Sequence, residues 1–180
     1  CRGIAKVYFL GVATFGGEPY RQGQQAACDR DPRRDGRVHG DPHLVTLDGT
    51  YYSFMAAGEF AMIRDADGTD LVQARFHPES DSFTIVSGVA VRLGEREVVV
   101  QQDPETSAVT VYVDGQVITR DMAAFEEGLV ELDTALVGTQ QVVSVRGWDG
   151  FQVEAVVYEG RLDLSVHVPE AMWGQISGLL

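Results

Sequence analysis

Gly40-Asp41-Pro42-His43-Leu44-Val45-Thr46-Leu47-Asp48-Gly49 is the stretch that decides the fold, with Tyr51-Tyr52-Ser53-Phe54 and Gly58-Glu59-Phe60 close behind it. It reads as a sharp turn, a short strand, a second tight turn and a second strand. Pro42 fixes its own φ and keeps Asp41 out of the helical region. Asp48-Gly49 is a strong hairpin-turn dipeptide.

Outward from this hairpin the same grammar repeats. Residues 98–100, 109–113, 142–145 and 153–157 are short Val-rich runs of strand type. Leu162, Leu164, Val166 and Val168 alternate with Asp163, Ser165 and His167, the pattern of a half-buried strand. Turn signals stand at Asp67-Gly68, Asp114-Gly115, Asp149-Gly150 and Glu159-Gly160. Spacing of roughly 8–12 residues between turns predicts an all-β, antiparallel sandwich or barrel-like sheet. One or two helical turns are expected between residues 121 and 127.

The N-terminal piece differs. Residues 4–15 are apolar and read as one or two strands of a preceding module; residues 16–38 are polar and read as a connector. The expected division is 1–37 for the end of that module plus linker and 38–180 for the β domain, truncated at its C-terminal end. The chain begins at Cys1 and reads as an internal fragment of a longer protein.

The net charge of −13 is unevenly placed: residues 1–40 carry +3 and residues 41–180 carry −16. An acidic body argues against nucleic-acid partners and suits a hard cation with oxygen ligands. No run of 18 apolar residues exists, so no membrane-inserted helix is expected. Cys1 and Cys28 are the two cysteines. A bond between them would close a loop worth about 3–4 kcal/mol in the chain-entropy account, and two free thiols are the alternative.

The run G-D-P-H-x-x-T-L-D-G-x-x-Y-x-F, followed by G-E-F, resembles the opening of a von Willebrand factor type D domain. Residues 71–75 (Leu-Val-Gln-Ala-Arg), 86–92, 148–150 and 162–166 resemble later strands of that family, and Gly174-Gln175-Ile176-Ser177-Gly178-Leu179-Leu180 resembles the start of its G-L-L segment. Two cysteines are few for animal members, so the resemblance is to cysteine-poor, bacterial-like ones, and disulfide-linked multimers are not implied.

The resemblance carries two site expectations. Asp48 stands where the family's T-F-D-G aspartate helps bind a structural Ca²⁺, with the remaining ligands expected in a loop beyond Leu180. Asp41-Pro42-His43 matches a motif that some members cut between Asp and Pro and others keep as a turn. The chemistry is intelligible from the residues: the Asp41 carboxyl can attack its own carbonyl carbon, proline is a fair leaving group, and His43 can relay a proton. The structural turn is the plainer reading.

Other candidates are weaker. Asp65-Ala66-Asp67-Gly68-Thr69-Asp70 fails the EF-hand spacing and reads as a hairpin turn. His39 and His43 are four apart, but Gly40 and Pro42 forbid the helix a zinc pair would need. His77 and His167 are expected on the surface. Tyr51, Tyr52, Phe54, Phe60, Trp148 and Phe151 read as core and hairpin packing, with a sugar platform as the alternative. No nucleophile or phosphate-binding motif occurs.

The sequence thus predicts a non-catalytic, secreted or cell-surface structural or adhesion module, facing an extracellular protein or glycan surface, with calcium as cofactor. A carbohydrate-binding module is the runner-up and a self-cleaving element the third reading.

Overall fold

The computed structural model describes residues 35–118, 124–127, 130–137, 140–147 and 150–180. Its strands are β1 (Asp35–His39), β2 (His43–Val45), β3 (Tyr51–Ser53), β4 (Gly58–Arg64), β5 (Asp70–Pro78), β6 (Thr84–Leu93) and β7 (Arg96–Gln102). They continue with β8 (Val109–Val113), β9 (Gln116–Ile118), β10 (Ala124–Glu127), β11 (Val130–Val137), β12 (Gln140–Gly147), β13 (Gln152–Tyr158) and β14 (Arg161–His167). A 3-10 turn at Glu170–Met172 follows, and the described residues contain no α-helix. The Val-rich runs fall inside β7, β8, β12 and β13, as their β-branched side chains predict.

Two sheets form, and every pairing described is antiparallel. One runs β10-β11-β12-β13-β14-β1-β2-β3, the other β4-β5-β6-β7-β8-β9. They pack face to face, with β14 against β6, as a sandwich. The barrel-like alternative is not realised, because the sheets do not close on each other. Val38, Leu164 and Val166 from the first sheet meet Val72, Val89 and Val91 from the second in one fully buried cluster. Each such side chain contributes about 1.5–3 kcal/mol when removed from water.

Four sequence expectations are corrected. Ala124–Glu127 is strand β10, paired with β11 from Ala124↔Asp133 to Glu127↔Val130, not a helical turn; the local helix propensity of Ala and Glu is overridden by the sheet the segment extends. Asp35, Gly36 and Arg37, at the end of the expected connector, form β1 and pair with β14 at Asp35↔His167 and Arg37↔Ser165. Asp163 and Ser165, on the face of β14 expected to be wet, are 1% and 6% exposed. His167, expected on the surface, is half-buried, and its Nδ1 lies 2.9 Å from Oδ1 of the buried Asp35.

The outer face of the eight-stranded sheet therefore carries a hidden polar row. Ser144, Glu154, Ser165 and Arg37 line up across β12, β13, β14 and β1, and all four are buried. Cys1 and Cys28, the apolar run 4–15, and Trp148-Asp149 lie outside the described residues.

Candidate functional site

Gly40-Asp41-Pro42 joins β1 to β2. Gly40 takes φ +66°, a conformation open to glycine at little cost, and its N–H donates to Asp163 Oδ1 at 3.0 Å. Pro42 is buried, and its carbonyl accepts from the Phe54 N–H at 3.0 Å. Both ends of the turn are thus tied to other strands. The Asp41 carboxylate is exposed, 3.8 Å from His43 Nε2. His43 Nδ1 lies 3.0 Å from Ser53 Oγ, and its ring stacks on Tyr51 at 5.6 Å. A carboxylate and an imidazole do flank the Asp41–Pro42 bond, within a well-braced turn.

Asp48 occupies the β2–β3 turn at the opposite end of β2, so the two motif halves are not brought together. The Thr46 hydroxyl donates to the Asp48 carboxylate, and the Thr50 N–H donates to Oδ1 at 3.1 Å. These bonds, the Thr46 hydroxyl foremost, hold the Asp48 carboxyl below its ordinary pKa. Asp48 is exposed and ionised at neutral pH.

The chain's C-terminal segment runs along this turn. The Ser177 N–H donates to Arg64 C=O at 2.8 Å and the Leu180 N–H to Met62 C=O at 3.0 Å, so residues 177–180 extend the edge of β4. The Leu47 N–H donates to the Leu180 carbonyl at 2.9 Å, and the Tyr52 hydroxyl donates to the Leu179 carbonyl at 2.6 Å. This segment stitches β4 of one sheet to the β2–β3 hairpin of the other. Between it and the Asp48 turn lies a groove of about 740 Å³ whose lining includes Leu47, Asp48, Ile63, Trp173, Ile176 and Leu180.

Among the described residues the side-chain donors do not complete a calcium cage. Ca²⁺ takes six to eight oxygens. Among the described residues no group of three or more His, Cys, Asp or Glu is placed to hold a metal. The Asp65–Asp67 pair is spent on its own turn: Asp65 Oδ1 accepts from the Asp67 and Thr69 N–H groups, both at 3.1 Å.

The aromatic candidates separate by burial. Phe54, Phe60 and Phe76 form a triangle of edge-to-face contacts at 4.8, 5.4 and 5.7 Å. Phe151 is fully buried, and Tyr51 is 59% exposed. Tyr52 is half-buried, and Trp148 lies outside the described residues. Sequence reasoning missed Trp173, 37% exposed, whose indole N–H donates to the Val168 carbonyl at 3.3 Å. Its signal was a tryptophan outside any alternating run, between Pro169 and Gly174.

The von Willebrand factor type D domain profile matches residues 36–180. The chain belongs to the von Willebrand factor type D family. Both cysteines precede the matched span, so this type D domain builds its sandwich without a disulfide. Sushi domain-containing protein 2 of Homo sapiens is 32% identical over 159 residues, covering 83% of this chain and 19% of the relative. Protein mesh of Bombyx mori is 26% identical over 188 residues, covering 94% and 12%. SCO-spondin of Bos taurus is 39% identical over 75 residues, covering 40% and 1%. The type D chain spans less than a fifth of each of these curated relatives.

Proposed function

We propose that this type D domain is a non-catalytic structural or adhesion module of a longer secreted or cell-surface protein. The observation that carries this is the match itself: one type D unit fills residues 36–180, while the relatives run far beyond it. A stitched, antiparallel sandwich suits rigid presentation of surfaces. Among the described residues no helix is long and apolar enough to cross a membrane. A net charge of −16 over residues 41–180 disfavours nucleic acid. The cysteine-poor, bacterial-like subtype belongs to the same proposal and rests on the matched span holding no cysteine.

Calcium enters as a second part of the proposal. Asp48 is ionised, exposed and braced, which suits one ligand position, and the remaining oxygens would come from outside the described residues. Self-cleavage at Asp41–Pro42 is favoured by one observation, the 3.8 Å approach of His43 to Asp41.

The immobilised chain, offered to arrays of extracellular-matrix proteins and of glycans, tests the reading. Saturable binding to protein is the expected result. Binding to glycans alone transfers the proposal to a carbohydrate-binding module, and binding to neither removes the adhesive role.

A further inference from the structure

We propose that a shallow cavity on the outer face of the six-stranded sheet binds one sugar ring of an uncharged glycan. This rests on the extracellular-module reading and names a ligand and a site for it.

The cavity, of about 200 Å³, crosses β4 to β7. Ala74, Phe76, Val89 and Val91 belong to the core, so Arg75, Gly88 and Ala90 face outward. The register sets Glu59 beside Arg75, Arg75 beside Gly88, and Gly88 beside Gln101. Gly88 and Ala90 make the floor, with Val99 next to Ala90. Glu59 and Arg75 stand on one side and Gln101 on the other.

Gly88 makes the room, and the fold does not require glycine there. Its φ lies outside the left-handed region, although a bulge at Ser87 adjoins it. A β-carbon would meet the Arg75 β-carbon at 3.5 Å and the Val100 carbonyl oxygen at 3.8 Å, both ordinary contacts. Glycine inside a strand costs stability relative to alanine. A strand glycine with no backbone reason often marks a surface that another molecule approaches closely.

The walls offer hydrogen bonds without net charge. Arg75 Nε and one terminal guanidinium nitrogen donate to Glu59 Oε1 at 2.9 and 2.6 Å, so the two charges cancel. Gln101 is exposed, and its amide brings both donors and an acceptor. A sugar ring carries hydroxyls round its rim and C–H bonds on its faces. The rim suits Gln101 and the Arg75–Glu59 pair, and a face suits Ala90 and Val99. The cavity is smaller than the roughly 300–1,000 Å³ of sites for drug-sized ligands. It takes one ring and leaves the rest of the glycan outside.

Other ligands match less of this surface. An anion meets Glu59 and Glu97 on the same lining, within a body that carries −16 over residues 41–180. A cation must compete with Arg75 for Glu59. An apolar side chain would cover the amide and the ion pair without replacing their hydrogen bonds to water.

The test titrates the full 180-residue chain with tetrasaccharides of glucose, mannose, galactose and N-acetylglucosamine, read by backbone amide shifts. Hyaluronan and heparin oligosaccharides are the acidic comparators. At least one neutral tetrasaccharide should bind saturably at millimolar concentration, with shifts centred on Gly88, and the acidic ones should not. Gly88→Val, which fills the floor, should weaken binding about ten-fold or more. Arg75→Met should weaken it about five-fold, as for one or two lost hydrogen bonds. Gly88→Ala should weaken binding while melting no lower than the wild type, and it stands in if the valine variant fails to fold. No saturable binding of any neutral glycan, tighter binding of the acidic ones, or unchanged binding in the folded Gly88 variants would each overturn the proposal. Binding of a matrix protein that Gly88→Ala weakens, with no glycan bound, would overturn it in favour of a protein ligand. Matrix-protein binding that the Gly88 variants leave intact, with no glycan bound, removes the cavity and leaves the module reading standing.

Discussion

Gly178 lies so close to Met62 that a β-carbon added to it would stand 2.3 Å from the Met62 carbonyl oxygen. Its φ of +140° is also one that side-chain-bearing residues rarely adopt. Gly178 interrupts the run of bonds from Ser177 to Arg64 and from Leu180 to Met62. The segment can follow the β4 edge because this residue has no side chain.

Gly178→Ala should therefore destabilise the domain by about 2–4 kcal/mol, combining backbone strain with displacement of the strap. Gly174→Ala is the control. Gly174 also has positive φ, +73°, but open space around it, so about 1–2 kcal/mol is expected. Chemical denaturation of both variants checks the contrast, and equal losses would show that the clash with Met62 is relieved by a small shift.

Phe54→Ala should cost about 2–4 kcal/mol. Phe54 is half-buried, and its loss removes two of the three edge-to-face contacts with Phe60 and Phe76. Urea denaturation measures it. A loss under about 1 kcal/mol would mean that the neighbouring rings close over the gap.

The hairpin grammar was legible in the sequence because it is local. Pro42 and the turn dipeptides dictate backbone shape within four residues, and alternation assigned Leu162, Leu164 and Val166 to the core correctly. What the sequence hid is what only sheet order creates. Nothing near Glu154 shows that Ser144 and Ser165 will flank it, or that this row will be buried. The same holds for Asp163, 123 residues from the Gly40 N–H it accepts, and for the meeting of Trp173 with Asp48 across one groove.

Glu154 makes stability fall with rising pH. Burial pushes its carboxyl up to about 7, against the pull of Arg146 and the hydrogen bonds from Ser144 and Gln152. The folded state then holds a proton that the unfolded state releases near its ordinary value of about 4.3. The native advantage is greatest below that value, declines as pH rises toward 7 and is gone above it. Asp163, raised by burial to about 6, acts in the same direction over a lower window. The melting temperature of the wild type minus that of Glu154→Gln should fall steadily from pH 4.5 to 7.5. A flat difference would mean that Glu154 is ionised throughout.

Asp41–Pro42 should stay intact at pH 7.5. Its turn is bonded to Asp163 on one side and Phe54 on the other, and attack by the Asp41 carboxyl on its own carbonyl requires that geometry to change. Intact-mass measurement after long incubation at pH 7.5 and at pH 5 checks this. A fragment beginning at Pro42 in the wild type, absent from Asp41→Asn, would establish self-cleavage.

Calcium dependence follows from a count of ligands. Asp48 offers two carboxylate oxygens, and Oδ1 already accepts from the Thr46 hydroxyl and the Thr50 N–H. Six to eight oxygens are needed, and the described residues bring no group of three or more acidic, His or Cys side chains together as a metal site. The 180-residue chain should therefore melt within about 1 °C of the same temperature in calcium and in chelator, since an ion held weakly contributes little. The Leu180 carbonyl is bonded to the Leu47 N–H, which brings the chain to the side of the Asp48 turn. A longer piece of the parent protein running past Leu180 is where calcium should act. At about a hundred times its dissociation constant, a ligand specific for the folded state stabilises by roughly 2.7 kcal/mol, or roughly 5–10 °C for a domain of this size. Asp48→Ala should erase that gain. Equal melting of the longer wild-type piece in calcium and in chelator would remove the metal role from Asp48 and leave its carboxylate to the turn.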